Sequence, residues 1–514
     1  MSCLILFPNQ LFDVTYIMKI INKSKKTHII LWEYKYFFKK YKYHKMKLAF
    51  HRATMKNYFD NITIKKIYIE SIETEKKQTD KIKKFISDNN IEELLFFNPI
   101  EKELLNLLQQ KKLINSLNID YILFPSPYFL NSTNFNKNNE IQNKLTSIRH
   151  DNFYKNQRIT YDIMIKNNND KITPDGGSWS FDKENRKPYE KTQKEIELLN
   201  FNNKNNKYII EAINYIETNY PNNYGSCIID NFIYPISKKD CFNWLDDFID
   251  RKLNNFGKYE DALSSKIKFG YHSLLSSILN IGLIVPYDVL EKVKNYKKNI
   301  ASKEGFIRQI FGWREYCYFI YDKHYSILTT NFFYTKSKNK IPEKFWLSNT
   351  QIPIIDNILV NINNYAYSHH IERLMCIGNF LLLLHIEPLE IFNWFQTMYI
   401  DSYDVFMVPN VYGMLLYGFI SDNSHMMTRP YFCSSNYLIK MSDYKTSDIV
   451  INNNTYKWNV IFDALYYNFI NTYSDKFSKL YSSSNAVKIY NNFSEERKKE
   501  IKKLSNIYFN YIFN

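Results

Sequence analysis

With 514 residues and a formal charge of +16, the chain is long enough for about two or three domains, each with an ample core. No apolar run reaches bilayer-spanning length, and the Leu4–Phe7 run is too short for a signal-peptide core, which argues against a membrane or secreted protein. Six cysteines, at 3, 227, 241, 317, 376 and 433, form no C-x-x-C pair and read as reduced, mostly buried thiols of an intracellular protein.

Asn, Lys, Ile and Tyr dominate, with 43 Tyr and 38 Phe against 11 Gly and 14 Pro. That bias towards A/T-rich codons inflates both basic charge and Asn-rich stretches. The charge therefore supports a polyanion partner about as well as a merely lysine-rich surface.

In chain order, Cys3–Phe7 (CLILF) and His28–Glu33 (HIILWE) read as buried strands, with Tyr43–Phe59 helical between them and the next strands. Lys66–Ile69, Glu93–Phe97 and Asp120–Phe124 continue the alternation of strand and helix. Such alternation predicts a parallel, Rossmann-like α/β sheet covered on both faces. Ligands of such sheets sit beyond the strands' carboxyl ends, here near Pro8–Leu11 and Glu33–Tyr34. From about 130 the chain turns polar and Asn-rich around one island, Gly176–Asp182 (GGSWSFD), closed by Asn185–Pro188 (NRKP). A Trp and a Phe between turn signals indicate an ordered connector. Beyond about 205 helical patterns dominate with no convincing strand pairs. The expected organisation is 1–130 α/β, 131–205 connector and 206–514 all-α.

Five stretches of the helical part carry more polar chemistry than packing requires. In Glu304–Tyr321 (EGFIRQIFGWREYCYFIY), apolar residues at helical spacing alternate with Arg308, Gln309, Trp313 and Arg314. Gln309 and Trp313 are spaced to share a face that can offer an amide and a flat ring to a planar ligand; a solvated amphipathic helix is the plainer alternative. The others are Phe256–Ala262, Tyr271–Ser276 with serines suited to capping or phosphate binding, Tyr365–Asn379 (YAYSHHIERLMCIGN) and Tyr399–Asn410 (YIDSYDVFMVPN).

Taken in order, these stretches resemble the flavin-bordering segments of the photolyase/cryptochrome superfamily. The resemblance is strongest to its bacterial iron–sulfur branch, the prokaryotic (6-4) photolyase-related proteins. It implies FAD held by Tyr259, Ser273, Leu274, Leu275 and Ser276 at its diphosphate and ribityl portion. Gln309 and Arg314 would flank it, and Arg373 and Asp401 would face the isoalloxazine. His369 and His370, chiefly His370, match the pair that serves proton transfer to a lesion. Trp346 and Trp394 match electron-transfer tryptophans; where the family often has Tyr, this chain has Phe395, which Tyr399 or Tyr403 could replace. Arg429, Tyr431 and Tyr437, in the run His425–Tyr444, match a DNA- and lesion-contacting segment. Asn9, Gln10, Glu33 and Tyr43–Phe50 match local features of the antenna domain, which implies a lumazine-type antenna.

Two departures accompany the match. The branch's [4Fe–4S] cysteines are missing around Pro353, Lys445–Asp448 and Asn459–Phe462, so no cluster is expected. Met407 stands where the family has an acidic residue near flavin N5. The resemblance implies a monomeric, light-driven DNA lyase acting on pyrimidine dimers, (6-4) photoproducts first, by flipping out the damaged nucleotides. A cryptochrome-like receptor or non-catalytic DNA-binding flavoprotein is the alternative.

Overall fold

Five short apolar runs pair into one parallel sheet: β1 (Ser2–Leu6), β2 (Thr27–Trp32), β3 (Lys66–Ile69), β4 (Glu93–Phe97) and β5 (Asp120–Phe124), in the order β3-β2-β1-β4-β5. The computed structural model describes residues 1–14, 17, 27–110, 119–168, 171–421 and 424–514. β1 is central, with Cys3 opposite His28 on one side and Leu94 on the other. β1 and β2 are buried along their whole length, as a sheet covered on both faces requires. Helices Lys45–Asn61, Glu75–Asp88 and Lys102–Gln109 run between strands.

At the carboxyl ends of β1 and β2 several rings pack together. Phe7 lies 5.8 Å from Tyr34, 6.1 Å from Phe37 and 6.3 Å from Trp32.

The region expected to be an irregular connector holds regular structure. Helices Phe135–Lys144 and His150–Tyr161 precede a hairpin, Ile165–Asn168 with Lys171–Pro174. Polar, Asn-rich composition hid these elements. Gly176 and Gly177 then adopt φ of +71° and +79°, as the turn signal requires. Trp179 is tied down through its carbonyl by Arg158, and the Phe181 N–H donates to Glu304 at 2.9 Å. The helical half also carries two small hairpins, Phe419–Ser421 with Ser424–His425 and Asp448–Ile451 with Asn454–Lys457, correcting the expectation of no strand pairs.

Side chains from the sheet side reach into the helical half. His44 Nε2 bonds the Ile362 and Asn363 carbonyls at 3.0 and 3.1 Å, and Lys47 donates to the Ser402 carbonyl and hydroxyl. Gly225 fits against His44 only because it lacks a Cβ, which would lie 1.9 Å from Nε2.

One ion network centred on the buried Arg52–Glu33 pair supports this contact. Arg52 bonds Glu33 at 2.9 Å, Glu70 at 3.1 Å and Glu211 at 2.6 Å. Its guanidinium lies 3.3 Å from the Tyr215 ring. Glu33 is 0% exposed and also accepts from Tyr68 and from the Ser71 N–H and hydroxyl. Removing Arg52 would leave that carboxylate buried with its charge uncompensated. Arg52→Met is expected to lose about 3–5 kcal/mol of unfolding free energy, read from urea titration; unchanged stability would contradict this role.

Candidate functional site

Segments far apart in sequence close around one cavity of 720 Å³, within the ~300–1,000 Å³ usual for cofactor and small-molecule sites. The connector contributes His150, Tyr154, Trp179 and Asp182. The helical half contributes residues 273–276, 308–310, 367–371, 373–375 and 406–407, with Trp313, Arg314 and Asp401. Of the expected site residues, Ser273, Leu274, Leu275, Ser276, Gln309, Arg314, His369, His370, Arg373, Asp401, Met407, Arg429, Tyr431 and Tyr437 all line it.

Three of its helical walls are π-helical turns, Arg308–Trp313, Glu372–Gly378 and Val408–Leu415. Such insertions concentrate at functional sites. Their wider winding means that Gln309 and Trp313 do not sit one ordinary turn apart. Gln309 donates to buried Glu260 at 2.6 Å, while Trp313 donates to Asn410 at 3.1 Å.

The most strongly organised charges are Arg373 and Asp401, paired through two bonds of 2.9 and 3.1 Å. Arg373 Nε also donates to the Ser368 carbonyl at 2.8 Å. Burial works against both charges, but each partner outweighs it, so Asp401 sits below the usual carboxylate range and Arg373 above its ordinary value. Asn280 donates to the Asp401 carbonyl at 2.7 Å and accepts from Arg314. Burial lowers the Arg314 pKa, and its Nε has no partner.

Leu274, buried on the wall, adopts φ +55°, a strained value for a branched side chain. The serines around it do not cap: the single turn Ser276–Leu279 has no side-chain cap, and the Ser273 hydroxyl accepts from the Leu275 N–H at 3.4 Å.

The histidine pair is held asymmetrically. His369 is buried, stacks on His272 with centroids 4.5 Å apart, and lies 3.7 Å from Glu372. Burial first, then neighbouring imidazoles, keep it well below the ordinary histidine range, and the same holds for His272. Its Nδ1 and the Nε2 of His272 have no partners. His370 leaves 48% of its side chain exposed and bonds Asp261 at 3.2 Å. Burial by the walls opposes its charge, but Asp261 and Glu260 prevail, so its pKa is raised.

His272 and Asp261 lie inside stretches already marked as polar islands, yet their side-chain partners are set by tertiary packing. His150 had no local signal.

A sequence model described as deoxyribodipyrimidine photo-lyase-related protein matches residues 4–234. A (6-4) photolyase of Agrobacterium fabrum is 34% identical over 299 residues, covering 57% of this chain and 56% of that protein. Residues 4–234 are similar to the photolyase-related family. The match thus spans about half the length of that relative. An uncharacterized protein of Acanthamoeba polyphaga mimivirus is 41% identical over 112 residues, 21% of this chain and 82% of that protein. In fold, the chain resembles a class III photolyase from Agrobacterium tumefaciens (TM-score 0.52, 13% identity, 98% and 91% of the two chains covered). It also resembles a Synechocystis cryptochrome (TM-score 0.53, 13% identity, 98% and 94% covered).

Several expected residues lie away from the cavity wall. Tyr259 stacks on Tyr271 at 5.3 Å and donates to Glu190; the stretch's contribution to the wall is Phe256, Glu260 and Asp261 instead. Trp394 and Tyr399 pack behind the wall residue Phe395 at 5.2 and 5.6 Å. Trp346 stacks on Tyr224 at 4.3 Å, and it is the preceding residue, Phe345, that meets Trp394 at 5.3 Å.

None of the three antenna-matched residues lines the cavity. Gln10 bonds the Phe97 and Asn98 carbonyls, Asn9 is buried beside it, and Glu33 is held in the Arg52 network.

Raised by Asp261, the His370 cation contributes stability that is complete below pH 6.5 and lost as pH rises through its folded-state value. NMR titration should place His370 above 6.5 and Asp261→Asn should bring it below, since burial then dominates. An unmoved titration would remove Asp261 from this role.

Proposed function

We propose that the chain binds one FAD in this cavity and repairs pyrimidine dimers in DNA with light, (6-4) photoproducts first. The observation that carries this is the half-exposed His370, paired with Asp261 and opening onto the same cavity as the buried Arg373–Asp401 pair.

The donor set fits a flavin with a diphosphate. Arg314 has an unpartnered Nε. The turn at Leu274 passes from left-handed to right-handed backbone between two serines, the kind of concavity that gathers N–H groups for anions. Arg373 holds a fixed positive charge that favours an electron-rich ring, while Asp401 keeps that cation from being buried alone. Bound FAD would supply light absorption and single-electron transfer. His370 would offer the lesion its second ring proton, at Nδ1, while Asp261 bonds Nε2 and keeps the ring charged. Arg429, exposed beside the Tyr431 ring at 5.5 Å, fits a phosphate contact, and Tyr431 and Tyr437 offer faces for unpaired bases.

A receptor without repair is the second reading, favoured by Met407, 5% exposed on the wall, which cannot take the hydrogen-bonding role of an acid. No iron–sulfur cluster is proposed. Trp458, 0% exposed, donates to the Lys445 carbonyl at 2.9 Å, so a ring packs against one of the stretches that lack cysteine. All six cysteines are buried and free, and among the described residues no group of three His, Cys, Asp or Glu is placed to hold a metal.

The test is blue-light repair of an oligonucleotide carrying one (6-4) photoproduct by fully reduced protein. Repair is expected in the wild type, with His370→Ala losing about 100-fold or more while flavin content is unchanged. Flavin-loaded wild type that repairs neither (6-4) nor cyclobutane lesions would establish the receptor reading.

A further inference from the structure

Residues 190–197 form neither helix nor strand, yet they are bonded again and again to the back of the cavity wall. Glu190 accepts from Lys258 at 2.7 Å and from the Tyr259 hydroxyl at 3.0 Å. Gln193 accepts from the Tyr271 hydroxyl at 3.1 Å, and Arg251 donates to the Glu197 carbonyl at 3.0 Å. Glu195 makes the densest contact. Its two oxygens accept the backbone N–H of Lys268, of Phe269 at 3.1 Å and of Gly270 at 2.8 Å. A carboxylate is acceptor-only with room for about four donors, so one side chain closes three successive N–H groups of a single turn.

Apolar packing follows the same line. Tyr189 and Ile196 join Tyr259, Ala262 and Tyr271 in a small cluster apart from the main core, with the Tyr189 and Tyr259 rings 5.1 Å apart. Gly270 adopts φ +47°, and the Tyr189 hydroxyl occupies the place a Cβ would need there. Four residues on, Leu274 takes φ +55°. Between the two, the His272 N–H returns to the Phe269 carbonyl at 3.0 Å, and Trp244 donates to the Ser273 carbonyl at 2.7 Å. Ser273, Leu274, Leu275 and Ser276 then line the cavity. The N–H groups of Ser273 and Leu274 bond no other group among the described residues. The outer half of the turn is thus satisfied by residues 189–197, and its inner half keeps its donors for a ligand.

We infer that the 189–197 strap, through Glu195, positions this turn for the diphosphate of the cofactor and so sets a preference for FAD over a flavin without phosphates. This rests on the flavin reading. Glu195 is a positioning residue that does not touch the cofactor. Without its carboxylate three N–H groups lose their acceptor, and the path from Gly270 to Leu274 is no longer fixed from outside. The coupling is reciprocal: a diphosphate that holds the turn also holds the strap.

The experiment is titration of the flavin-free full chain with FAD and, separately, with riboflavin, in wild type and Glu195→Ala. The variant is expected to bind FAD at least about tenfold more weakly with its riboflavin affinity unchanged. An unchanged ratio of the two affinities, including a parallel fall in both, overturns the inference, because a merely structural role would move both flavins alike. Should the variant fail to fold, the wild type decides. Lys191 and Lys194 are exposed on the strap, and FAD is expected to slow trypsin cleavage after both while riboflavin leaves it unchanged. Equal protection by the two flavins, or none by FAD, overturns the inference. Wild type that binds no FAD overturns the cofactor reading and this inference together; FAD-binding wild type that fails these tests overturns this inference alone.

Discussion

The cavity depends on one buried ion pair. Arg373 and Asp401 come from different segments, a π-helical turn and a loop 28 residues on. Neither charge would survive burial without the other. Further bonds anchor both segments. Ser368 accepts from Arg373, Asn280 donates to the Asp401 carbonyl, and Lys47 holds the next residue, Ser402, from the sheet side. The pair therefore fixes the relative placement of three chain segments and, through Lys47, of the sheet against the helices. A cavity of this size can stay open because its polar walls are braced from behind.

The same principle explains the asymmetry of the histidines. His369 and His272 are buried and stacked, with their pKa values held low, while His370 is half exposed and its pKa is raised by Asp261. Like charges on neighbouring imidazoles oppose one another. Packing decides which of the three rings holds a proton most readily.

Much of this was legible in the sequence. The five parallel strands are continuous apolar runs with boundaries within about a residue of those observed, because strands buried on both faces leave little ambiguity. The polar stretches around Arg308–Arg314, His369–Arg373 and Asp401 stood out against packing needs, and they do converge. What stayed hidden was tertiary. The 135–161 helices are too polar for a clear apolar stripe, and the 419–457 hairpins are too short to alternate. Tyr259 turned to its aromatic neighbours while Glu260 and Asp261 took the wall. At the antenna-matched end of the sheet, Glu33 bonds Arg52, and Phe7, Trp32, Tyr34 and Phe37 pack together, partners that only the tertiary structure specifies. Trp458 illustrates the reverse, an unremarked aromatic that is fully buried and donates to the Lys445 carbonyl.

The most direct measurement is calorimetric titration of FAD into flavin-free protein, in parallel with Arg373→Leu. One FAD per chain is predicted for the wild type, with binding weakened at least about tenfold in the variant, where Asp401 is left a buried uncompensated charge. Equal affinity in the two proteins, or no FAD binding by the wild type, would contradict the account.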